Sequence, residues 1–272
     1  MTDMIIILAL IFILVILYVL STACRSGHPG LAGLRGWAYA HRGLHGEGVP
    51  ENSMEAFRLA KEAGYGIELD VHLLADGNLA VIHDSLLLRT TGATGRVEDL
   101  TTEDISNYYL EGTQETIPQF QQVLDLYDGC APLIVELKAV DGNHSALCQR
   151  ACEMLDAYHG AYCLESFDPR CIAWLRKNRP DVIRGQLTEN YFKSPKSTLP
   201  WFIKFVLRHQ ILNFTVVPDF VAYRFSDRKT ISNLLVRKLW GVQGVTWTIK
   251  SQEDYDTAVK EGWIPIFEGF RP

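Results

Sequence analysis

The chain has 272 residues and a formal charge of −6, with 47% hydrophobic and 21% charged residues. That balance excludes wholesale disorder, the length admits one large domain or two small ones, and the acidity argues against nucleic acid as a partner. Six cysteines in no CxxC pair read as small core residues of a reducing compartment rather than as a zinc site.

From Met4 to Leu20 every residue is apolar or aromatic, and Ser21, Thr22 and Ala23 extend the run without charge. A helix over 4–24 would be about 31 Å long, enough to cross a bilayer. Only Asp3 precedes it, whereas a cleaved signal peptide would open on Lys or Arg. Arg25, Arg35 and Arg42 follow the run, so the positive-inside rule puts the bulk of the chain on the cytoplasmic side of a single-pass anchor. Residues 1–24 are thus read as the anchor, the Gly-rich 25–36 as a linker, and 37–272 as one folded domain.

Strand-like apolar runs follow near 37–41, 66–71, 79–83, 133–138, 162–167, 183–187, 219–222, 245–249 and 264–267. Helical patterns fit 52–64, 118–128, 144–158, 169–178, 228–240 and 251–261. This alternation predicts an α/β barrel, with an open doubly wound sheet as the alternative. One pair breaks it. Between Val71 and Ala80 there is no room for a parallel crossover, and Asp76-Gly77 is a strong hairpin signal. A two-residue loop at Asp76-Gly77 would pair Asp70 with His83 and bring His83 onto the face shared by Glu68 and Asp70.

The polar residues of these apolar strands carry the chemistry. His41-Arg42-Gly43 ends the first strand, Glu68 and Asp70 lie on the second, His83 on the hairpin return, and Glu136 and Lys138 on the next. In a barrel, such residues at strand carboxyl ends gather at one mouth. Three converging carboxylates require a cation, and all-oxygen ligands favour Mg²⁺ or Ca²⁺ over zinc. Two histidines can serve as general base and acid, in either assignment, while Arg42 and Lys138 suit an anion. Together these read as phosphodiester cleavage.

The sequence resembles the glycerophosphodiester phosphodiesterase family at His41-Arg42-Gly43, Pro50-Glu51-Asn52-Ser53, Glu68-Leu69-Asp70, Asp76-Gly77, His83-Asp84, Glu136-Leu137-Lys138, Ser166-Phe167 and Trp247-Thr248. The resemblance implies a TIM (β/α)8 barrel of the phospholipase-C-like type, with a small insertion over 85–117. It implies hydrolysis of glycerophosphodiesters to glycerol 3-phosphate and an alcohol. It further implies Glu68, Asp70 and Glu136 as ligands of one divalent cation, and His41 and His83 as the acid/base pair. Arg42 and Lys138 become phosphate contacts, Phe167 and Trp247 pocket aromatics, and Glu51 an acidic neighbour. The chain departs from the family at its end, where Glu268 stands in place of the usual Asp.

Residues 191–240 hold nine Lys or Arg against two acids, and ten aromatics. Within them, Thr198 to Leu212 read either as a barrel helix with snorkelling lysines or as an interfacial helix on anionic lipid beside the anchor. A lipid-facing helix keeps open a lysophospholipase D acting on membrane lysolipids. A third alternative is a catalytically inactive lipid-binding scaffold.

Overall fold

The computed structural model describes residues 1–194 and 197–272; Lys196, one of the nine basic residues, lies outside the described residues. In chain order the elements begin with α1 (Thr2–Ser21), β1 (Tyr39–His41), α2 (Met54–Glu62), β2 (Gly66–Leu73), β3 (Leu79–Val81), α3 (Leu88–Thr91), α4 (Thr102–Ile105) and α5 (Phe120–Tyr127). They continue with β4 (Leu133–Leu137), α6 (His144–Leu155), β5 (Tyr162–Ser166), α7 (Pro169–Asn178), β6 (Arg184–Thr188), α8 (Trp201–Arg208) and α9 (Asn213–Val216). The last are β7 (Phe220–Arg224), α10 (Ile231–Lys238), β8 (Gln243–Ile249), α11 (Gln252–Lys260) and β9 (Trp263–Phe267).

Eight parallel strands close into a barrel: β1 pairs with β2 on one side and β9 on the other. The ninth, β3, runs antiparallel to β2, taking over the edge beyond the last residue that β1 covers. The alternation of buried strands sorts the two layers. Leu69, Val71, Val135, Leu164 and Val221 pack outward with the helices, while Tyr39, Ile134, Cys163, Phe220, Val245 and Ile264 fill the barrel. A Cβ at Gly185 would meet the Phe220 ring at 2.1 Å, so a glycine is required where that ring crosses the interior. Residues 74–117 form a small satellite with its own core, including Leu74, Ile82, Leu87, Val97 and Ile105.

Three expectations are corrected. The hairpin register is one residue off, because Leu74 N donates to Asn78 O and Val71 pairs with Val81; the loop is the three-residue Ala75-Asp76-Gly77. His83 therefore does not oppose Asp70. It stands two residues beyond β3, where the chain leaves the sheet. Residues 25–36 are not a free linker. They form a 3-10 turn over Pro29–Leu34 whose Leu31 and Leu34 are buried in the barrel-filling layer, plugging it, while Arg25 pairs with the fully buried Asp219. Two leucines three residues apart on so short a turn leave no periodicity to read, so their burial was invisible in the sequence. The barrel-helix reading of α8 also fails, since none of its residues is buried and Trp201, Phe202 and Phe205 are 73%, 52% and 45% exposed.

Candidate active site

The first strand delivers His41 and then breaks sharply. Arg42 and Gly43 both have positive φ (55° and 81°), and a Cβ on Gly43 would sit 2.8 Å from the Ala56 backbone. This turn folds the chain back so that Arg42 N donates to the Glu68 backbone oxygen (2.9 Å) and lies 3.3 Å from its side-chain Oε2. The following segment caps α2 through Ser53, whose hydroxyl accepts from Ala56 N, and presents Asn52, whose amide donates to Asp70 Oδ2 at 2.9 Å.

Glu68 and Asp70 point inward from β2 and Glu136 from β4, where Asp70 and Glu136 are register partners. One carboxylate oxygen from each of the three lies within 4.8 Å of the others, and all three residues are buried. Lys138 Nζ reaches Glu136 at 2.8 Å and Asp70 at 3.2 Å, and Arg42 Nε lies 3.3 Å from Asp70. Burial opposes charge on Asp70, yet Lys138, His83 and Arg42 hold its carboxyl well below the ordinary range. Burial, followed by the Asp70 and Glu136 carboxylates, pushes Glu68 well above it, and burial also raises Glu136 against the pull of Lys138. The cluster carries more negative charge than its two basic partners neutralise, so an oxygen-liganded divalent cation fits it.

Both histidines are oriented by carboxylates. His41 Nδ1 lies 2.7 Å from Glu268 Oε2, and His83 Nδ1 lies 2.6 Å from Asp84 Oδ1. A carboxylate only accepts, so each Nδ1 carries the proton and each Nε2 is left free; that of His41 is 3.8 Å from Glu68. The hydrogen bond from His41 is the main cause that takes Glu268 down to about 2, with Lys250 3.2 Å away adding to it. Burial lowers the His41 imidazole despite that bond. Asp84 is held in turn by Arg89, which also donates to Glu51 at 2.6 Å.

A cavity of about 50 Å³ opens between these groups, lined by His41, Arg42, Glu68, His83, Glu136, Glu165, Phe167, Leu187, Trp247 and Ile266. Phe167 and Trp247 meet edge to face with centroids 5.6 Å apart, and the Arg224 guanidinium lies 5.2 Å over Trp247. Asp70 and Lys138 sit behind the wall, tied to it through Glu136 and Arg42. Glu51 is not on the wall: it accepts from Arg42 Nη1 at 2.9 Å and acts on the cavity through that arginine. The sequence reading missed Glu165, a fully enclosed carboxyl on β5 opposite Glu136 that burial and then Glu136 push well above its ordinary range. A lone charge in an apolar strand was its signal, the same that marked Glu136.

The chain matches the model of the glycerophosphoryl diester phosphodiesterase family over residues 41–268. It is 28% identical over 236 residues to a glycerophosphodiester phosphodiesterase of Caldanaerobacter subterraneus, covering 82% of this chain and 89% of that one. A protein of the same name from Bacillus altitudinis is 34% identical over 168 residues, 58% of this chain and 68% of the relative. In fold it is similar to a phosphodiesterase of Oleispira antarctica solved with its product sn-glycerol-3-phosphate, with a TM-score of 0.71 at 21% identity over 90% of this chain and 95% of the other.

Proposed function

This chain belongs to the glycerophosphoryl diester phosphodiesterase family, and from that premise we propose that it hydrolyses glycerophosphodiesters to glycerol 3-phosphate and an alcohol at the mouth of its barrel. The observation that carries this reading is the convergence of three buried carboxylates with Arg42 and Lys138 beside two carboxylate-oriented imidazoles. Glu68, Asp70 and Glu136 would hold one divalent cation, Mg²⁺ or Ca²⁺, which when bound polarises a phosphoryl oxygen and acidifies a nearby hydroxyl. Arg42 on the cavity wall would bind the phosphate oxygens, and Lys138 behind it would join only when drawn off Glu136 and Asp70. One neutral imidazole takes the proton of the attacking glycerol hydroxyl on Nε2. The other, entering as the doubly protonated imidazolium, gives its Nε2 proton to the departing alcohol. This closes a cyclic phosphate that water then opens as the two exchange roles. Phe167 and Trp247 supply the apolar wall against the glycerol carbons.

Membrane anchoring by α1 is part of the same proposal. Thr2–Ser21 is long and apolar enough to cross a bilayer, and its residues are unburied by the domain. Cys130 is the one exposed thiol of the six cysteines. With the barrel on the cytoplasmic side, a membrane-impermeant maleimide should leave Cys130 unlabelled in intact cells and label it after permeabilisation. Labelling before permeabilisation would reverse the orientation.

The exposed aromatic face of α8 favours a second reading, turnover of lysolipids in the bilayer. His209, the residue that ends α8, lies 4.5 Å from the Phe205 ring and 6.3 Å from that of Tyr18 of α1, so the C-terminal end of α8 sits beside the anchor. Turnover of a soluble glycerophosphodiester should be measured beside turnover of a lysophospholipid in vesicles. The first substrate is expected to yield glycerol 3-phosphate. Trp201→Ala with Phe205→Ala should lower lysolipid turnover about tenfold more than soluble turnover. No hydrolysis of either substrate with Mg²⁺ or Ca²⁺ would leave only the inactive lipid-binding scaffold.

A further inference from the structure

A second concavity, of about 510 Å³, lies at the opposite end of β9 from Glu268, between α10 and the segment joining α11 to β9. That volume suits a small-molecule site rather than a surface dimple. Five cations line it, Arg228, Lys229, Arg237, Lys238 and Lys260, against a single acid, Glu261. The acid is already engaged, accepting from Arg228 at 2.8 and 3.1 Å and from the Trp263 indole at 3.1 Å. Arg237 is fixed as well, 3.9 Å over the Trp263 ring and donating to the Glu261 backbone oxygen. Lys229, Lys238 and Lys260 have no hydrogen-bond or ion-pair partner among the described residues. In a chain of net charge −6, three unpartnered ammonium groups around one cavity await an anion.

The rim of the cavity is also apolar in part, for Ile231 is 70% and Leu234 57% exposed. Exposed lysines interleaved with exposed aliphatic side chains along one rim complement a phosphate that carries acyl chains, not a free anion. Its position agrees. Two residues beyond α10, the Trp240 indole donates at 3.1 Å to the hydroxyl of Thr22, the buried residue that ends α1. A bilayer crossed by α1 would have its headgroup layer at that level, where each basic side chain is attracted to anionic lipid. We propose that the concavity between α10 and α11 binds the phosphate headgroup of an anionic phospholipid, with the acyl chains leaving over Ile231 and Leu234. The proposal rests on α1 crossing the membrane, and it is independent of the catalytic cluster.

The full chain should be reconstituted in phosphatidylcholine vesicles carrying traces of spin-labelled phosphatidylglycerol or spin-labelled phosphatidylcholine, and the immobilised fraction of each label compared. The protein is expected to favour phosphatidylglycerol roughly fivefold. Combining Lys229→Ala, Lys238→Ala and Lys260→Ala should bring the two labels close to parity while a soluble diester is hydrolysed at the unaltered rate. Removing three cations elsewhere, with Lys61→Ala, Lys177→Ala and Arg271→Ala, should keep the preference. Equal loss in both triple variants would reveal diffuse surface charge and overturn the site. Displacement of labelled phosphatidylglycerol by millimolar inorganic phosphate would overturn it in favour of a free-anion site. A chain retained by vesicles through an alkaline wash but without preference refutes the cavity alone; a chain washed off refutes the anchor and the cavity together.

Discussion

Glu68→Gln, Asp70→Asn and Glu136→Gln should each cut kcat/KM for a glycerophosphodiester by about 10³-fold or more, and excess chelator should do the same to the unaltered enzyme. The size follows from the several kcal/mol of charge stabilisation that a phosphoryl-bound cation supplies, at about 1.4 kcal/mol per tenfold in rate. Stability separates loss of the cation from loss of the fold. Glu68 is the carboxyl that burial and two neighbouring carboxylates disfavour as an anion, so Glu68→Gln should raise the Tm of the metal-free protein. Asp70→Asn should lower it, because Asp70 is the common partner of Arg42 and Lys138, two cations that would be left in a buried site with less counter-charge. Adding Mg²⁺ or Ca²⁺ should raise the Tm of the unaltered chain by mass action and leave the Glu68→Gln variant unmoved. Full turnover in excess chelator, or an equal metal-induced shift in both proteins, would remove the cation from this site.

His41→Ala and His83→Ala should each lower kcat by roughly 10²–10⁴, the usual worth of a positioned general acid or base, with metal-induced stabilisation retained. The retained shift is the discriminating measurement, because His41 Nε2 stands only 3.8 Å from Glu68 and a ligand role would abolish it. Glu268→Gln should follow His41→Ala in direction and by up to about 10⁴-fold, the loss known when an amide replaces the carboxylate that fixes the tautomer of a general-base imidazole. An amide at 268 can donate as well as accept, so it no longer enforces the Nδ1–H form of His41. Near-normal turnover in any of these variants would take that residue out of the reaction. Glu268 also contributes to acid stability. Its folded value, about 2, lies below that of an unfolded carboxyl, so its stabilisation is present at neutral pH and lost as pH falls through about 2.

Much of the site was legible because its groups are local. Glu68 and Asp70 share a face by the two-residue period of one strand, and Glu136 and Lys138 do so on another. His83 was placed in the site for the wrong reason: an extra loop residue shifts the hairpin by one, and the imidazole arrives only because the chain leaves β3 at Val81. The turn type that chooses between two and three loop residues is set by backbone angles at Ala75 to Gly77, which Asp-Gly alone does not specify.

By itself the sequence determined the alternation of strands and helices, the antiparallel interruption at Asp76-Gly77, the apolar run at the start, and the inward row of carboxylates. Each is a periodicity or a composition that a few neighbouring residues carry. Only the tertiary structure decided which distant groups meet: His41 with Glu268 across 227 residues, Leu31 and Leu34 with the barrel interior, and Trp240 with Thr22 at the root of α1. It also decided that α8 turns its aromatic face outward and that five cations surround one cavity. These contacts depend on closing the barrel and on the order in which helices wrap it, a long-range packing outcome that no local window of residues encodes.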